Sequence, residues 1–267
     1  MSATVKWIST VPVKGMRMQQ QSEVELTKQG VIDDRQFFLI GDDDEMVSAT
    51  RIGALMEIVP EYNTAAENRT LSLAFPDRAM VEATIELADP LKVSFYGLEL
   101  EVRPVTGPFS EAISAHCGVD LRLVERPENR PGVDRGSIAG ATLLGVGSLR
   151  RLEDAAAEAG QPGEIDHRRF RMTFGIDGIE AHEEDSWINK DVEIGEARLR
   201  IHERVGRCAA TTRDPEAGDV DLKTLHHIRS YREEVECEEG IPFGVYASVR
   251  KPGTVRLGDP VVADPPT

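Results

Sequence analysis

Short apolar runs dominate the first hundred residues, and most alternate with polar positions. They recur at Val5–Ile8, Glu23–Leu26, Phe37–Ile40, Met46–Ser48, Leu71–Phe75, Leu91–Tyr96 and Leu98–Val102. Gly30, the run Gly41-Asp42-Asp43-Asp44 and Gly97 punctuate them. Many short, evenly spaced strands predict a barrel or folded sheet rather than a doubly wound α/β fold. The segment from Pro108 to Cys117 has proline near its start and Gly118 after its end, which predicts a short helix. Leu149, Leu152, Ala155 and Ala156 keep a helical period until Gly160-Gln161-Pro162-Gly163 stops it. Period two then returns, with Phe170, Met172, Phe174 and Ile176 facing one way, followed by Val192–Ile194 and Ala197–Ile201. Val220–Ser230 reads as helix, and Val245–Val249 and Thr254–Leu257 as closing strands.

Between the two halves, Arg126 to Arg135 is rich in Pro, Gly and Arg and reads as a linker. The chain therefore divides into residues 1–125, a β-rich unit, and residues 126–267. Its 267 residues, 40% of them hydrophobic, suffice for one large or two small cores. No apolar run approaches the roughly 18 residues of a membrane span, and the N-terminus lacks a signal-peptide core. The expectation is a cytoplasmic protein with no membrane partner.

Charge narrows the functional classes. Forty-seven acidic against 31 basic residues give a net −16, a field that repels phosphate backbones. Only the short run His167-Arg168-Arg169-Phe170-Arg171 concentrates positive charge, so no nucleic-acid partner is expected. The three cysteines, Cys117, Cys208 and Cys237, form neither a CxxC pair nor a zinc-finger spacing, leaving room for one functional thiol.

Cys208 is that thiol. It follows the Ala197–Ile201 strand, and Arg207 beside it favours the thiolate, the form that binds metals and attacks electrophiles. The bland alternative is a buried cysteine packing as a small hydrophobe. Basic residues end three other strands: Lys14 after Val11-Pro12-Val13 and before Gly15, Arg35 in Asp33-Asp34-Arg35, and Arg171 after Arg169-Phe170. Each alone is explained as a charged strand edge. Together with Arg207 they suit an anionic, phosphate-bearing cofactor. His202, near Cys208 in sequence, offers the minor alternative of a nucleophilic Cys/His pair. Of the remainder, Cys117 reads as core, His226-His227 as solvent-facing, Glu233–Glu239 as a solvated acidic loop, and Cys237 within it as a thiol of raised pKa.

The run Arg207-Cys208-Ala209-Ala210-Thr211-Thr212-Arg213-Asp214-Pro215 and the closing Gly258-Asp259-Pro260 carry a resemblance to a known family. Pro12-Val13-Lys14, Asp34-Arg35, Arg169-Phe170-Arg171 and Phe243-Gly244-Val245-Tyr246 extend it in order along nearly the whole chain. The chain resembles the MOSC-domain proteins with an N-terminal MOSC β-barrel domain, and is similar to the amidoxime-reducing components. That resemblance implies an α+β, mostly β fold, with a MOSC-type barrel domain preceded by a smaller β-rich domain. It implies the molybdenum cofactor (molybdopterin), with Cys208 as metal ligand and catalytic centre. Lys14, Gly15, Arg35, Arg171, Gly206 and Arg207 would hold the cofactor, and Thr173 would be a secondary contact. The implied activity is reduction of N-hydroxylated or N-oxide small molecules, with electrons from a separate donor protein, since no cysteine-rich ferredoxin module is present. A non-redox cofactor carrier or sulfur-transfer role for Cys208 is the alternative, and a scaffold lacking cofactor affinity is a third. Two departures stand out: Met172-Thr173 replace the family's usual Pro-Asn, and Ile138–Thr142 replace polar or Gly-aromatic-Pro residues.

Overall fold

A computed structural model describes residues 2–65, 68–128, 130–132 and 138–265. Strands outnumber helices throughout, giving the α+β, mostly β architecture expected. The largest sheet has eight strands in the order Val261–Ala263, Asp191–Ile194, Ala197–Arg207, Ile241–Lys251, Ala141–Gly145, Phe174–Asp177, Thr4–Thr10 and Gln19–Gln21. All its neighbours run antiparallel except Ala141–Gly145 and Phe174–Asp177, which are parallel. A parallel pair needs a crossover, and helix α2 (Val146–Glu158) supplies part of it, burying Leu149, Leu152, Ala155 and Ala156. The apolar stripe that predicts α2 is thus its core face.

A five-stranded sheet, Leu91–Phe95, Leu98–Pro104, Arg122–Glu125, Phe37–Ile40 and Met46–Val47, organises the other half. Two three-stranded sheets flank these: Val59–Asn63, Thr70–Ala74 and Met80–Thr84; and Gly253–Arg256, Glu23–Thr27 and Gly30–Val31. The first strand, Thr4–Thr10, pairs with Phe174–Asp177, and Glu23–Thr27 pairs with Gly253–Arg256, so early residues are stitched into sheets made by late ones. Separate apolar clusters fill the two halves, one around Ile8, Phe174, Ile201 and Val245, the other around Val13, Phe37, Leu55 and Phe109. A third, around Phe170, Met172 and Phe243, lies under α2 and helix α3 (Thr224–Arg232). No described helix is long and apolar enough to cross a membrane.

Helix α1 (Phe109–Cys117) ends at Gly118 in a left-handed cap, as the Pro…Gly punctuation predicts. Three expectations need correction. The alternation from Phe170 to Ile176 is a strand only over Phe174–Asp177; His167–Phe170 is a 3-10 turn, and Arg171 follows at φ 54°. A left-handed residue cannot continue a ladder, and the break turns Arg171 out of the sheet. Helix α3 begins at Thr224, because Val220 bridges to Arg213 instead. His227 is buried, with Nε2 2.7 Å from Gln161 Oε1; only His226 faces solvent. Of the expected linker, Arg126–Glu128 and Arg130–Gly132 are irregular backbone, while Asn129 and residues 133–135 lie outside the described residues.

Candidate functional site

Where the two halves meet, an open cleft with about 670 Å³ of space is lined by Lys14, Gly15, Arg35, Arg171, Gly206, Arg207 and Cys208. Seven residues singled out in the sequence, spread over nearly 200 positions, therefore share one concavity. Each arrives by a local device. Val13 bridges to Phe37 and the Lys14 amide donates to the Phe37 carbonyl at 2.8 Å, so Lys14 leaves an extended segment in a fixed direction. Gly15 turns the chain at φ 98°, where a side chain would be strained and its Cβ would crowd Leu55 at 3.3 Å. Bulges between Ile201 and Gly206 bend the end of the Ala197–Arg207 strand. That bend delivers Arg207 and Cys208 to the cleft, and a Cβ at Gly206 would overlap the backbone of Glu239.

Cys208 is exposed, not a core thiol. Its Sγ lies 3.4 Å from Thr50 Oγ1, a hydroxyl from the opposite half of the molecule. Its carbonyl accepts from the Thr211 amide at 3.2 Å and the Thr211 hydroxyl at 3.0 Å, which pins the backbone behind the sulfur. The other two thiols differ. Burial pushes Cys117 up to about 11, and Cys237 is also raised, chiefly by burial and only then by Glu239. The like-charge cause expected for Cys237 is the lesser one.

The cations are not equivalent. Lys14 Nζ stands 5.6 Å from the Phe95 ring centre and 5.5 Å from that of Tyr96, a cation–π pair that orients the ammonium. The Arg207 guanidinium lies 5.7 Å from the Phe170 ring centre and 3.3 Å from Met172 Sδ, and donates to the Phe170 carbonyl. Arg35 was expected to meet an anion, but its charge is largely taken by Asp34, which it contacts directly while both are buried. Its other nitrogen donates to the Arg171 carbonyl at 2.6 Å, so Arg35 braces Arg171 from behind. Arg171 donates to the Met16 carbonyl at 2.8 Å and has no ion pair among the described residues. Burial, with Arg35 repelling it, pushes its pKa down to about 9, so it remains a cation at neutral pH but an under-compensated one.

Thr173 does not line the cleft. It is wholly buried, and its amide donates to Thr142 Oγ1 at 2.9 Å, with the two hydroxyls 3.3 Å apart. Thr142 is the member of that pair which reaches the cleft wall. The departures at 142 and 173 are thus partners, each satisfying the other's polar groups. His202 is also elsewhere: it lines a separate surface pocket with Cys237, and Nε2 is 2.7 Å from Ser248 Oγ. A Cys208–His202 nucleophilic pair is not formed. Ser48, Thr50 and Tyr96 also line the cleft and carry no marker in the sequence, because their relevance depends on contacts across more than a hundred residues. No group of three or more metal-ligating His, Cys, Asp or Glu occurs among the described residues.

The cleft thus holds an exposed sulfur beside an arginine, with further basic side chains in its lining. A family model described as MOSC domain matches residues 144–262, and one described as MOSC N-terminal beta barrel domain matches residues 2–110. The chain belongs to the MOSC family. Mouse mitochondrial amidoxime-reducing component 1 is 28% identical to it over 97% of this chain and 81% of its own. The human protein of that name is 26% identical, covering 97% and 82%. Rat mitochondrial amidoxime reducing component 2 is 24% identical over 97% and 82%. Among solved structures, the YuaD protein from Bacillus subtilis aligns over 98% of this chain and 94% of its own at 11% identity, with a TM-score of 0.43.

Proposed function

We propose that this MOSC protein is a molybdenum-cofactor-dependent oxidoreductase that reduces N-hydroxylated or N-oxide small molecules with electrons from a separate donor protein. One observation carries the reading: the exposed Cys208 sulfur shares a cleft with the cations Lys14, Arg171 and Arg207, in a protein whose net charge is −16. The donor set fits the group. A thiolate is a soft ligand suited to a transition metal, and Arg171 is a half-buried cation whose charge an anionic phosphate would balance. When bound, the cofactor supplies two-electron transfer at the metal. The protein's own contributions are then separate tasks. Cys208 holds the metal, Lys14, Arg171 and Arg207 hold the anionic part, and Gly15 and Gly206 let backbone approach. Arg35, neutralised by Asp34, fixes the direction of Arg171. The overall reaction is R–NHOH + 2e⁻ + 2H⁺ → R–NH₂ + H₂O.

Similarity to proteins named for amidoxime reduction, over almost the whole chain, supports this reading over a carrier role. The decisive experiment expresses the protein where the cofactor is made, then measures molybdenum by elemental analysis and turnover of an amidoxime with an artificial donor. Metal and turnover are both expected, and Cys208→Ala should lower turnover by at least about a thousandfold. Metal without turnover would leave the carrier or sulfur-transfer role. A Cys208→Ala protein with full metal and full activity would remove the assignment.

A further inference from the structure

Arg213 lies in the run of residues 207–215 but does not line the cleft. It follows the 3-10 turn Ala209–Thr212, and its guanidinium forks. Nη1 donates to the Gly218 carbonyl at 2.7 Å, within its own half of the molecule, and Nη2 donates to the Thr50 carbonyl at 3.2 Å, in the other half. One side chain thus ties the turn behind Cys208 to the turn at residues 48–52. That second turn is closed by the Arg51 and Ile52 amides, which donate to the Ser48 carbonyl at 2.9 and 3.2 Å. A planar guanidinium serves two carbonyls in two fixed directions at once.

The anchor is held before it reaches across. The Arg213 amide donates to the Ala210 carbonyl at 3.2 Å, and its carbonyl accepts from Arg169 Nη1 at 2.6 Å. Arg169 is gripped in turn by both oxygens of Asp221, at 2.7 and 2.6 Å. The landing is fitted as well. Ala49 and Met56 pack on Ala210 in a small buried cluster, and a Cβ on Gly53 or Gly218 would overlap the other's carbonyl. Arg17 closes the far end of this clasp, donating from the N-terminal half to the Glu216 carbonyl at 2.8 Å. Thr50 therefore has two handles: its carbonyl rests on Arg213, and its hydroxyl lies 3.4 Å from Cys208 Sγ. Against a thiolate only the hydroxyl can donate.

We propose that Arg213 is a positioning residue for the Cys208 sulfur: its tether on the Thr50 carbonyl keeps the Thr50 hydroxyl hydrogen-bonded to the thiolate. Turning the Thr50 peptide away from Arg213 carries the hydroxyl off the sulfur. A thiolate that accepts a hydrogen bond donates less charge, to an electrophile or to a metal alike. The tether thus sets how strongly the sulfur reacts. That placement stands without the reductase reading; only its effect on turnover rests on it.

The test compares Arg213→Met, which keeps the aliphatic stem, with Thr50→Val, with the double variant and with Arg17→Met. The full-length, cofactor-free protein is alkylated with iodoacetamide at about pH 10, where an ordinary thiol is ionised, and the Cys208 and Cys117 peptides are followed by mass spectrometry. Arg213→Met and Thr50→Val should each speed Cys208 alkylation about fivefold, the worth of one hydrogen bond. The double variant should be no faster than either single one, because both remove the same contact. Arg17→Met loosens only the far end and should stay within about twofold of the native rate. Cys117, packed against the other core, should gain no reactivity. An unchanged rate in Arg213→Met, rates that multiply in the double variant, an equal rise in Arg17→Met, or a parallel rise at Cys117 would each overturn the proposal. In the metal-loaded protein, kcat of Arg213→Met should shift about fivefold in the direction that Thr50→Val shifts it, with KM unchanged. The alkylation pattern in a protein that shows no turnover sinks the reductase reading and leaves the role of Arg213 standing.

Discussion

Two half-buried or buried arginines show how the same side chain takes opposite roles. Arg232, on α3, is 5% exposed; it donates to Asp185 at 2.6 Å and to the Pro242 carbonyl at 2.9 Å, and Asp185 also accepts from Arg204 at 2.9 Å. Its charge is answered within the fold. Arg171 is tethered only to carbonyl oxygen, with a second arginine at its back and no carboxylate in ion-pair reach among the described residues. A charge removed from water without a counter-ion costs stability. In a chain with 16 more acidic than basic residues, an Arg171 without a counter-ion supports the proposed anion site. The comparison sets an arginine answered within the fold against one proposed to hold a ligand.

Removing the internal counter-ion should have the largest effect. Asp185→Asn leaves Arg232 buried beside a neutral amide, and the expected loss is about 3–5 kcal/mol, read as a fall in the urea midpoint. Cofactor content among the molecules that stay folded should not change. Arg171→Gln should do the reverse. The cofactor-free protein should melt at the same temperature or slightly higher, because Arg35 loses a like-charged neighbour. Retention of molybdenum and pterin should fall about 10- to 100-fold, the worth of one charge-assisted hydrogen bond of about 1.5–3 kcal/mol. Should Arg171→Gln destabilise the protein as much as Asp185→Asn does, the two arginines are alike and the distinction fails.

The same neighbourhood gives the comparison a pH signature. Both ring nitrogens of His182 are buried without partners, and burial, then Arg232, pushes its pKa down to about 4 from 6.5. The folded state therefore disfavours the proton that the unfolded chain accepts, so stability is present above pH 6.5 and declines as pH falls toward 4. With allowance for solvent screening the loss is about 2 kcal/mol. His182→Asn, which tolerates the φ of 61°, should flatten the urea midpoint across that interval. Arg171 is protonated throughout this range, so cofactor retention should not follow the same curve.

Legibility in the sequence divides along similar lines. The wholly apolar, wholly buried strand Phe37–Ile40, the alternating strand Leu98–Pro104, and helices α1 and α2 are readable because local pattern and burial agree. Gln19–Gln21 escapes notice because it is a polar edge strand, and Val59–Asn63 because Pro60 argues against a strand. At the site, Lys14, Arg171, Arg207 and Cys208 are legible as charged or reactive groups, although Arg171 sits in a turn and not at the strand end its alternation suggests. The neutralisation of Arg35 by its own neighbour Asp34 is not, since both a turn and a rotamer decide whether adjacent charges meet. Nor is the mutual pairing of Thr142 and Thr173, which requires the parallel register of two strands joined through α2.

Thr50 is the extreme case and carries the smallest effect. Its hydroxyl meets Cys208 Sγ across 158 residues, and its carbonyl accepts from Arg213 Nη2 at 3.2 Å. The backbone contact survives replacement of the side chain, so Thr50→Val removes only the hydroxyl beside the sulfur. A hydrogen bond to a thiolate draws charge from it and weakens its donation to a metal, with a net worth of about 1 kcal/mol. Turnover should therefore change about fivefold at constant molybdenum content, and Thr50→Ser should restore it. Loss of the metal in Thr50→Val would instead place this hydroxyl among the groups that retain the cofactor.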